Sequence, residues 1–424
     1  MKSITTLLKQ NPQVSDYKIN TCKKESFELF YVKGKLETAR CTDTCDHAVT
    51  VYVNHGDYKG DAQFFIYPST TEQQIEEKIQ SAVQNAQIIN NLNYTLPADE
   101  DGEYELPSNF NGKDLEDLAD QIAQLVFQAN TVEGGSLNAV EVFLNRYTDT
   151  VSNSRGLHKV QHRYDAMVEA IPTFNGAEQS VELYEQYNFS SLDTKALLAE
   201  IAEKMDAVKA RYEAVKPEGE LTGKVVLNKL ELNDLFSAIA GDLNYATVYS
   251  HGNLYHKGDK LQKNRTGDPI TIQMRGSALG NVNSSAFDGD GMSLGKITLV
   301  RDGAVENYYG SNRFGQYLGE QPTGNLRCLC VAGGKADIEA LHKEPHLEVI
   351  SMSGLQVDFF NDYIGGEVRL AYYCDGAKRY PVTGISIAGK LQDVLDRMQL
   401  SQETALHDGY MGPAKAVLSG MKIF

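Results

Sequence analysis

The chain has 424 residues, too many for one hydrophobic core, which predicts two domains of roughly 200 residues each. Its formal net charge of -17 repels phosphate backbones and argues against DNA or RNA binding. Its apolar runs fall far short of the ~20 residues of a membrane span, the N-terminus lacks a signal-peptide core, and the six cysteines include no C-x-x-C pair. We therefore expect a cytoplasmic protein that contacts neither membrane nor nucleic acid.

The first part of the chain predicts an antiparallel sheet. Strand-like runs separated by turn residues cover 27–32, 35–41, 48–54 and 62–67. The turns are predicted at 33–34, 42–46 and 56–60. In the third run, Val49, Val51 and Val53 alternate with more polar residues, which indicates one buried and one solvated face. Longer strands follow at 139–152, 157–170 and 179–189.

Helices are predicted where apolar residues recur every three or four positions. These segments cover 71–91, 113–130, about 193–215, 231–243 and 390–399. For the third helix, Ser190 and Asp193 suggest a capping box, and Pro217-Glu218-Gly219 ends it. We therefore place a domain boundary there. The predicted fold class is α+β, with residues 1–217 forming an antiparallel sheet with long helices and residues 218–424 forming a β-rich domain with short helices.

Local motifs for a metal, a nucleophile or a phosphate are all incomplete. The best metal cluster is Cys41, Cys45, His47 and His55, the first three of which a hairpin turn at 42–46 could bring together. Their spacing matches no standard zinc site, and Asp43 and Asp46 suit an ordinary turn equally well. The sequence thus predicts neither a catalytic residue nor a metal ligand.

Four short segments, taken in order, carry a resemblance. They are 153–156 (Asn-Ser-Arg-Gly), 288–291 (Asp-Gly-Asp-Gly), 322–325 (Pro-Thr-Gly-Asn) and 380–391, which begins Tyr-Pro-Val-Thr-Gly. Together they resemble the TldD/PmbA family, once described as modulators of DNA gyrase, and the likeness covers nearly the whole chain. The net charge of -17 gives the gyrase connection little support.

The resemblance distinguishes between two branches of that family. TldD-type members resemble zinc peptidases with H-E-x-x-x-H on a helix early in the C-terminal domain and a cysteine ligand near the C-terminus. The corresponding helix here, at 231–243, contains no histidine, and the segment 408–413 contains no cysteine. The chain therefore looks like the PmbA (TldE) branch, the non-metal partner of a TldD-type peptidase.

This resemblance implies a non-catalytic subunit that pairs with a TldD-like peptidase, or with itself as a dimer, and helps bind unfolded or extended peptides. Zinc is then expected only in the partner, and this chain needs no cofactor. The implied peptide-groove residues are those of the shared segments: Asn153, Ser154, Asp288, Asp290, Thr323, Gly324 and Asn325. Two alternatives stay open, a self-sufficient hydrolase with an unrecognised site such as Cys41, Cys45 and His47, and a homo-oligomeric regulatory protein.

Overall fold

The computed structural model describes residues 3–98 and 100–424 of the chain. The helices of its first half are α1 (Ile4–Gln10), α2 (Glu72–Ala86), α3 (Leu115–Gln128) and α4 (Thr194–Glu213). The strands of that half are β1 (Asp16–Val32), β2 (Lys35–His55), β3 (Tyr58–Ile66), β4 (Asp101–Glu105), β5 (Gly135–Asn153), β6 (His158–Asn175), β7 (Ser180–Glu182) and β8 (Glu185–Phe189). The predicted α+β class is confirmed.

These strands form one sheet in the order β3-β2-β1-β5-β6-β4, and β7 and β8 also pair with β6. All neighbours are antiparallel except β4 and β6, which are parallel. Because side chains alternate along a strand, apolar residues such as Val51 of β2, Val142 of β5 and Val168 of β6 share one face. Helices α2, α3 and α4 cover this face. The opposite face carries mostly polar side chains.

One predicted turn is wrong. Residues 42–46 lie in the middle of β2, because each of them pairs with β1, from Thr42 opposite Ser26 to Asp46 opposite Cys22. The other edge of β1 is held by β5, so the ladder runs on without a break. The solvated face predicted at 48–54 is wrong in part. Tyr52 is 2% exposed because Tyr94 packs against its ring.

Helix α4 also starts differently from the prediction. Asp193 is its N-cap, and one carboxylate oxygen accepts hydrogen bonds from the amides of Lys195 and Ala196. Ser190 takes no part, since its hydroxyl donates to the carbonyl of Asn281. The predicted capping box is therefore wrong, although the helix itself is present.

The second half contains helices α5 (Lys229–Asp242), α6 (Tyr245–Tyr249), α7 (Asn312–Leu318) and α8 (Leu391–Arg397), with a 3-10 helix at Glu339–Lys343. Its strands are β9 (Lys224–Asn228), β10 (Ile272–Arg275), β11 (Lys296–Arg301), β12 (Ala304–Val305), β13 (Cys328–Val331), β14 (His346–Met352), β15 (Gln356–Asp358), β16 (Tyr363–Cys374), β17 (Arg379–Val382), β18 (Ile385–Lys390), β19 (Gln399–Leu400), β20 (Thr404–His407), β21 (Tyr410–Pro413), β22 (Lys415–Leu418) and β23 (Lys422–Ile423).

Two sheets enclose helix α5 in this half. One has the order β19-β22-β9-β14-β16-β18-β23, with β15 and β17 also paired to β16, and the other has the order β12-β11-β10-β13-β21-β20. Helix α5 contacts β9 and β22 of the first sheet and β13, β20 and β21 of the second. Its apolar side chains therefore lie in the main core of this half.

In the part of the chain that the structure describes, no sheet combines strands from both sides of the predicted boundary at 217/218, since β8 ends at Phe189 and β9 begins at Lys224. Smaller apolar clusters do join the halves, for example Val208 with Leu370. We keep the division into residues 1–217 and 218–424 as a proposal. Recording whether residues 1–217 alone unfold in a cooperative transition would test it. Among the residues described above, no helix is both long and apolar enough to cross a membrane.

Candidate functional site

A groove of about 970 Å³ lies on the polar face of the N-terminal sheet. Side chains from β1, β2, β5 and β6 that point away from α2, α3 and α4 form its floor. Two loops of the second half, around Asp288 and Asn325, form its wall. Both halves of the chain are therefore needed to build the groove.

Buried polar contacts fix the wall over the floor. The side-chain oxygen of Gln161 on β6 accepts hydrogen bonds from the Ser285 hydroxyl at 3.0 Å and the Ala286 amide at 2.9 Å. The ammonium of Lys159, which is 0% exposed, donates to the carbonyl of Gly291 at 2.8 Å and to Ser293. It also pairs with Glu100 at 2.7 Å. Since a buried ammonium without partners is costly, these contacts hold the loop in one position.

At the centre of the floor, one guanidinium links two carboxylates. Arg163 Nε donates to Asp149 at 2.7 Å, and its Nη1 lies 3.3 Å from Asp165. The guanidinium carbon stands 3.7 Å from the centre of the Tyr147 ring, a close cation–π contact. Burial alone would lower the pKa of Arg163, but the two carboxylates outweigh it and raise that pKa. The Arg163 guanidinium therefore stays charged at neutral pH.

Asn145 on β5 has unused hydrogen-bonding capacity next to that cluster. Its Nδ2 donates to Asp165 Oδ1 at 2.7 Å, which sets the orientation of the amide, because a flipped amide would place two acceptors face to face. Its Oδ1 is buried and accepts no hydrogen bond from the described residues. The whole residue is 6% exposed and lines the groove. A buried acceptor without a donor costs roughly 1–3 kcal/mol of stability.

The cysteine of the floor is not activated. Burial, and then the negative charge of Asp149, raise the pKa of Cys22 to about 12. Because the thiolate is the nucleophilic form, this thiol is inert at neutral pH. The arrangement around it is suited to binding a ligand by hydrogen bonds and not to covalent catalysis by Cys22.

Two of the predicted site residues, Asp288 and Asn325, line the groove. The Asp288 carboxylate accepts backbone hydrogen bonds from Asp290 at 2.9 Å, Met292 at 3.0 Å and Asn325 at 2.9 Å. Burial, and then the neighbouring Asp290, raise its pKa. Asp288 therefore organises the two wall loops, while the Asn325 side chain is available to the groove.

Three other predicted residues, Asn153, Ser154 and Asp290, are not part of the groove lining. Asn153 Oδ1 accepts from the amide of Arg155, and its Nδ2 donates to the carbonyl of Pro97 at 2.8 Å. The Ser154 hydroxyl donates to an Asp16 carboxylate oxygen at 2.6 Å. Asp290 forms an ion pair of 2.5 Å with Lys18 of β1. Their peptide-binding role stays a prediction. Asn153 and Ser154 contact residues of the first half, whereas Asp290 links the second half to β1.

Thr323 and Gly324 support the same wall loop. The Thr323 hydroxyl accepts a hydrogen bond from the amide of Gly310 at 2.9 Å. Gly324 has φ +74°, and a Cβ atom there would stand 2.4 Å from a methyl group of Leu294. The turn therefore requires glycine for both conformation and space.

The structure does not bring Cys41, Cys45 and His47 together. All three lie on one continuous strand, and at ~3.3 Å per residue Cys41 and Cys45 are ~13 Å apart. His47 Nδ1 instead contacts the Thr21 hydroxyl at 2.8 Å. The hairpin on which this metal hypothesis depended is absent because the segment pairs with β1 throughout.

The residues of the floor were not singled out in the sequence. Asn145, Tyr147, Asp149, Gln161 and Arg163 occupy alternate positions of two long strands. The positions between them include the polar Arg146, Thr148 and His162, so the alternation with apolar residues is only partial. The loop that covers them is 124 positions away in sequence from Gln161. The alternation could have located the face, but not its cover.

Comparisons with known proteins agree with this fold. Residues 220–424 match the family described as PmbA/TldA metallopeptidase C-terminal domain. The chain is 27% identical over 408 residues to the "Metalloprotease PmbA homolog" of Haemophilus influenzae, covering 90% of this chain and 86% of that protein. It is 24% identical over 309 residues to "Metalloprotease PmbA" of Escherichia coli O157:H7, covering 68% and 64%.

Among solved structures, TldE from Thermococcus kodakarensis has the same fold, with a TM-score of 0.80 at 14% identity, covering 99% of this chain and 98% of that one. The protein is thus an α+β chain of the PmbA/TldD structural class. Residues 220–424 match that family's C-terminal domain and the whole chain has the TldE fold, in agreement with the resemblance of the shared segments.

The matched family is described as a metallopeptidase, so zinc is the metal whose ligands would be expected in this chain. A catalytic zinc needs about three protein ligands. In the described residues, no group of three or more His, Cys, Asp and Glu side chains could hold a metal ion. On α5, four inward positions are apolar and 0% exposed: Leu232, Leu235, Phe236 and Ile239. These residues do not fit a zinc site.

Proposed function

We propose that this chain is a PmbA (TldE)-like, non-catalytic subunit of a cytoplasmic complex with a TldD-like zinc peptidase. In this complex it binds unfolded or extended peptides, which the partner then cleaves. The partner supplies the zinc and the chemistry. A dimer with a second copy of this chain is the alternative assembly.

The main support for the proposal is the apolar side of helix α5 that faces the core. Its inward face consists of apolar side chains packed between two sheets, with the Phe236 ring stacked on Tyr410 at 6.4 Å. Side chains buried in this way stabilise the fold and have no lone pairs for a metal. The scaffold is retained over nearly its full length, since the TldE structure covers 99% of this chain. A retained scaffold without ligands favours a role in binding and assembly.

The groove supports the peptide part of the proposal. It is lined by hydrogen-bonding side chains from both halves, and it includes Asp288 and Asn325 of the predicted set. Polar groups that converge on a preformed cavity are typical of ligand sites. An unfolded peptide presents regularly spaced N–H and C=O groups that such side chains can bind.

The test is reconstitution with a TldD-like protein of the same organism that carries H-E-x-x-x-H. Light scattering after size exclusion measures association, and cleavage of an unstructured peptide is followed with either protein alone and with both. We expect a mixed complex and cleavage that is at least about tenfold faster with both proteins. A folded protein of equal length serves as the control substrate and should stay intact.

Two results would overturn the proposal. One is cleavage by this chain alone that a chelator abolishes. The other is elemental analysis showing close to one zinc per chain, lost on Cys41→Ser or His47→Ala. Association only with itself, together with no effect on the peptidase, would support the homo-oligomeric alternative.

A further inference from the structure

We infer that the free edge of β2, over residues 38–46, binds an extended peptide as an added strand in line with β3. This inference rests on the proposed function, because it identifies where an unfolded peptide would be held. One end of the free edge opens into the groove, since Asp46 lines the groove. The bound segment would therefore run from the groove along the edge of the sheet.

Strand β2 extends well beyond the strand that covers its outer side. Strand β3 pairs with β2 only from His47 to His55, whereas β1 pairs with it on the other side as far as the hairpin turn. In the described residues, no strand lies beside the stretch from Thr38 to Asp46 on its outer side. Most of this region is exposed, namely residues 35–41, 43 and 44. A long uncovered edge is a template for another strand, because its backbone groups lack strand partners.

The hairpin between β2 and β3 shows which backbone groups point outward. Only a two-residue turn separates His55 from its partner Tyr58, and residues that flank such a turn exchange hydrogen bonds. Because bonding alternates along a strand, the odd-numbered residues of β2 bond towards β3. The carbonyl of the even-numbered Tyr52 accordingly accepts from the amide of Ser15, next to β1. The outward N–H and C=O groups of the free edge are therefore those of residues 39, 41, 43 and 45.

The shape of the free edge fits a single chain better than the same edge of a second copy. At ~3.3 Å per residue it is ~30 Å long, and it ends where Ile66 of β3 pairs with His47. In antiparallel pairing with a second copy, the hairpin turn of that copy at 33–34 would run into Ile66 unless the pairing shrank to a few residues. In parallel pairing the two β3 strands would collide. A single extended peptide has neither obstacle.

The charges of the free edge favour a neutral or basic peptide. Arg40 Nε donates to Glu28 at 2.6 Å, so its charge is compensated within the protein. Asp43 stands directly opposite another carboxylate, Glu25 of β1, and Asp46 adds a further negative charge. Because like charges across an interface repel, an acidic segment would bind more weakly than a neutral one.

The first experiment uses the full chain without a partner and neutral, unstructured fluorescent peptides of about ten residues, measured by anisotropy. An added strand uses only one of its two edges, so methylation of alternate backbone nitrogens leaves one edge able to bind. We expect this peptide to bind within about threefold of the unmodified one. A peptide methylated on every nitrogen should bind at least about tenfold more weakly, since each lost hydrogen bond costs about 1 kcal/mol.

Two variants of one residue separate the backbone from the side chain. The N–H of Asp43 points outward, so Asp43→Pro removes an unpaired donor at an edge position where proline is tolerated. Asp43→Ala removes the side chain and keeps the N–H. We expect Asp43→Pro to weaken binding of the neutral peptide at least about fivefold and Asp43→Ala to leave it unchanged.

Three results would overturn the inference. They are equal binding of the fully methylated peptide, loss of binding after alternate methylation alone, and full affinity of a folded Asp43→Pro protein. If circular dichroism shows that Asp43→Pro does not fold, the two methylated peptides decide with the wild-type chain.

The outcome is separable from that of the proposed function. If the wild-type chain binds no peptide but still accelerates the TldD-like peptidase, the inference about the free edge is wrong and the subunit role stands. If it binds peptides along this edge but forms no complex with the peptidase, the inference stands and the subunit role is wrong. An Asp43→Pro protein that binds peptide normally but loses the peptidase would show that the free edge holds the partner subunit, which also overturns the inference.

Discussion

Helix α5 and the polar face of the N-terminal sheet fill buried space in opposite ways. Along α5, the residues enclosed by two sheets are apolar, and Leu235 and Phe236 are completely buried. On the sheet face, buried residues such as Asn145 and Gln161 are polar, and the space above them is a groove. The difference shows that this chain uses the α5 region for stability and keeps hydrogen-bonding capacity elsewhere.

The most severe test of this difference between α5 and the sheet face is a charge placed in the apolar core around α5. Leu235→Asp buries a carboxylate at a site that is 0% exposed, and we expect a loss of about 5 kcal/mol in the free energy of unfolding, or no folding at all. Denaturant unfolding followed by circular dichroism measures it. Leu279→Asp, at a site that is 71% exposed, is the control and should change stability by less than about 0.5 kcal/mol. A stable Leu235→Asp protein would show that α5 is not core.

On the polar side, the largest effect is expected at Lys159. Lys159→Met keeps a side chain of similar length. It leaves Gly291, Ser293 and the half-exposed Glu100 without their ammonium partner. We expect a loss of roughly 3 kcal/mol and faster amide exchange in the wall loop at 288–293. Hydrogen exchange with mass spectrometry checks both. Lys195→Met, on the exposed surface of α4, should change neither, and an unchanged loop in the first variant would contradict the proposed anchoring.

Helix α5 has two buried acidic residues. Asp242 accepts hydrogen bonds from the amides of Leu254 and Tyr255, whereas Glu231, which is 4% exposed, has an unpartnered Oε2. Burial raises its pKa from 4.5 to about 7. Below pH 4.5 the carboxyl is protonated in both folded and unfolded chains and costs nothing. As the pH rises, the unfolded chain ionises first, so the destabilisation grows and is complete above pH 7.

Glu231→Gln should therefore leave stability unchanged near pH 4 and raise it by roughly 2–3 kcal/mol at pH 8. Thermal unfolding of both proteins across this pH range is the measurement. Glu76→Gln, an exposed position of α2, provides the baseline. A gain that is equal at pH 4 and pH 8 would show that the effect is not the ionisation of Glu231.

The smallest expected effects concern two glycines near the wall loop. They distinguish the cost of a left-handed backbone conformation from the cost of a steric clash. Gly324 and Gly319 have similar φ values, +74° and +68°, but a Cβ would clash with Leu294 only at Gly324, whereas it would meet nothing within 4 Å at Gly319. Gly319→Ala should cost about 1 kcal/mol and Gly324→Ala about 1 kcal/mol more. Urea unfolding of the two variants compares them. Equal losses would mean that the loop yields to the added methyl group.

Local patterns predicted the elements well where neighbours in sequence decide them. The turn at 33–34 is present, with Lys33 at φ 49° and Gly34 at φ 74°. The stripe Ile75, Ile79 and Val83 of α2 is buried as predicted, because helical spacing alone places these side chains on one face. The extra turn at 42–46 was predicted because polar residues interrupt the strand, and pairing with β1 overrides that signal.

The residues of the candidate site also divide into those that the sequence predicted and those that it did not. The shared segments led to Asp288 and Asn325, which do line the groove, and to Asn153, Ser154 and Asp290, which lie outside its lining. Asn145 and Arg163 were not found, because polar residues on alternate strand positions look the same whether they face solvent or a groove.

By itself, the sequence determined the fold class, the positions of the five predicted helices, the apolar character of α5 and the family resemblance. Each depends on residues close in the chain or on segments in fixed order. Tertiary structure decided that β2 is one strand, that Cys41 and Cys45 lie apart, and that the polar sheet face is covered. The physical reason is distance along the chain: the groove exists because residues 285 and 286 bond to Gln161, and side-chain spacing within either segment does not encode that contact.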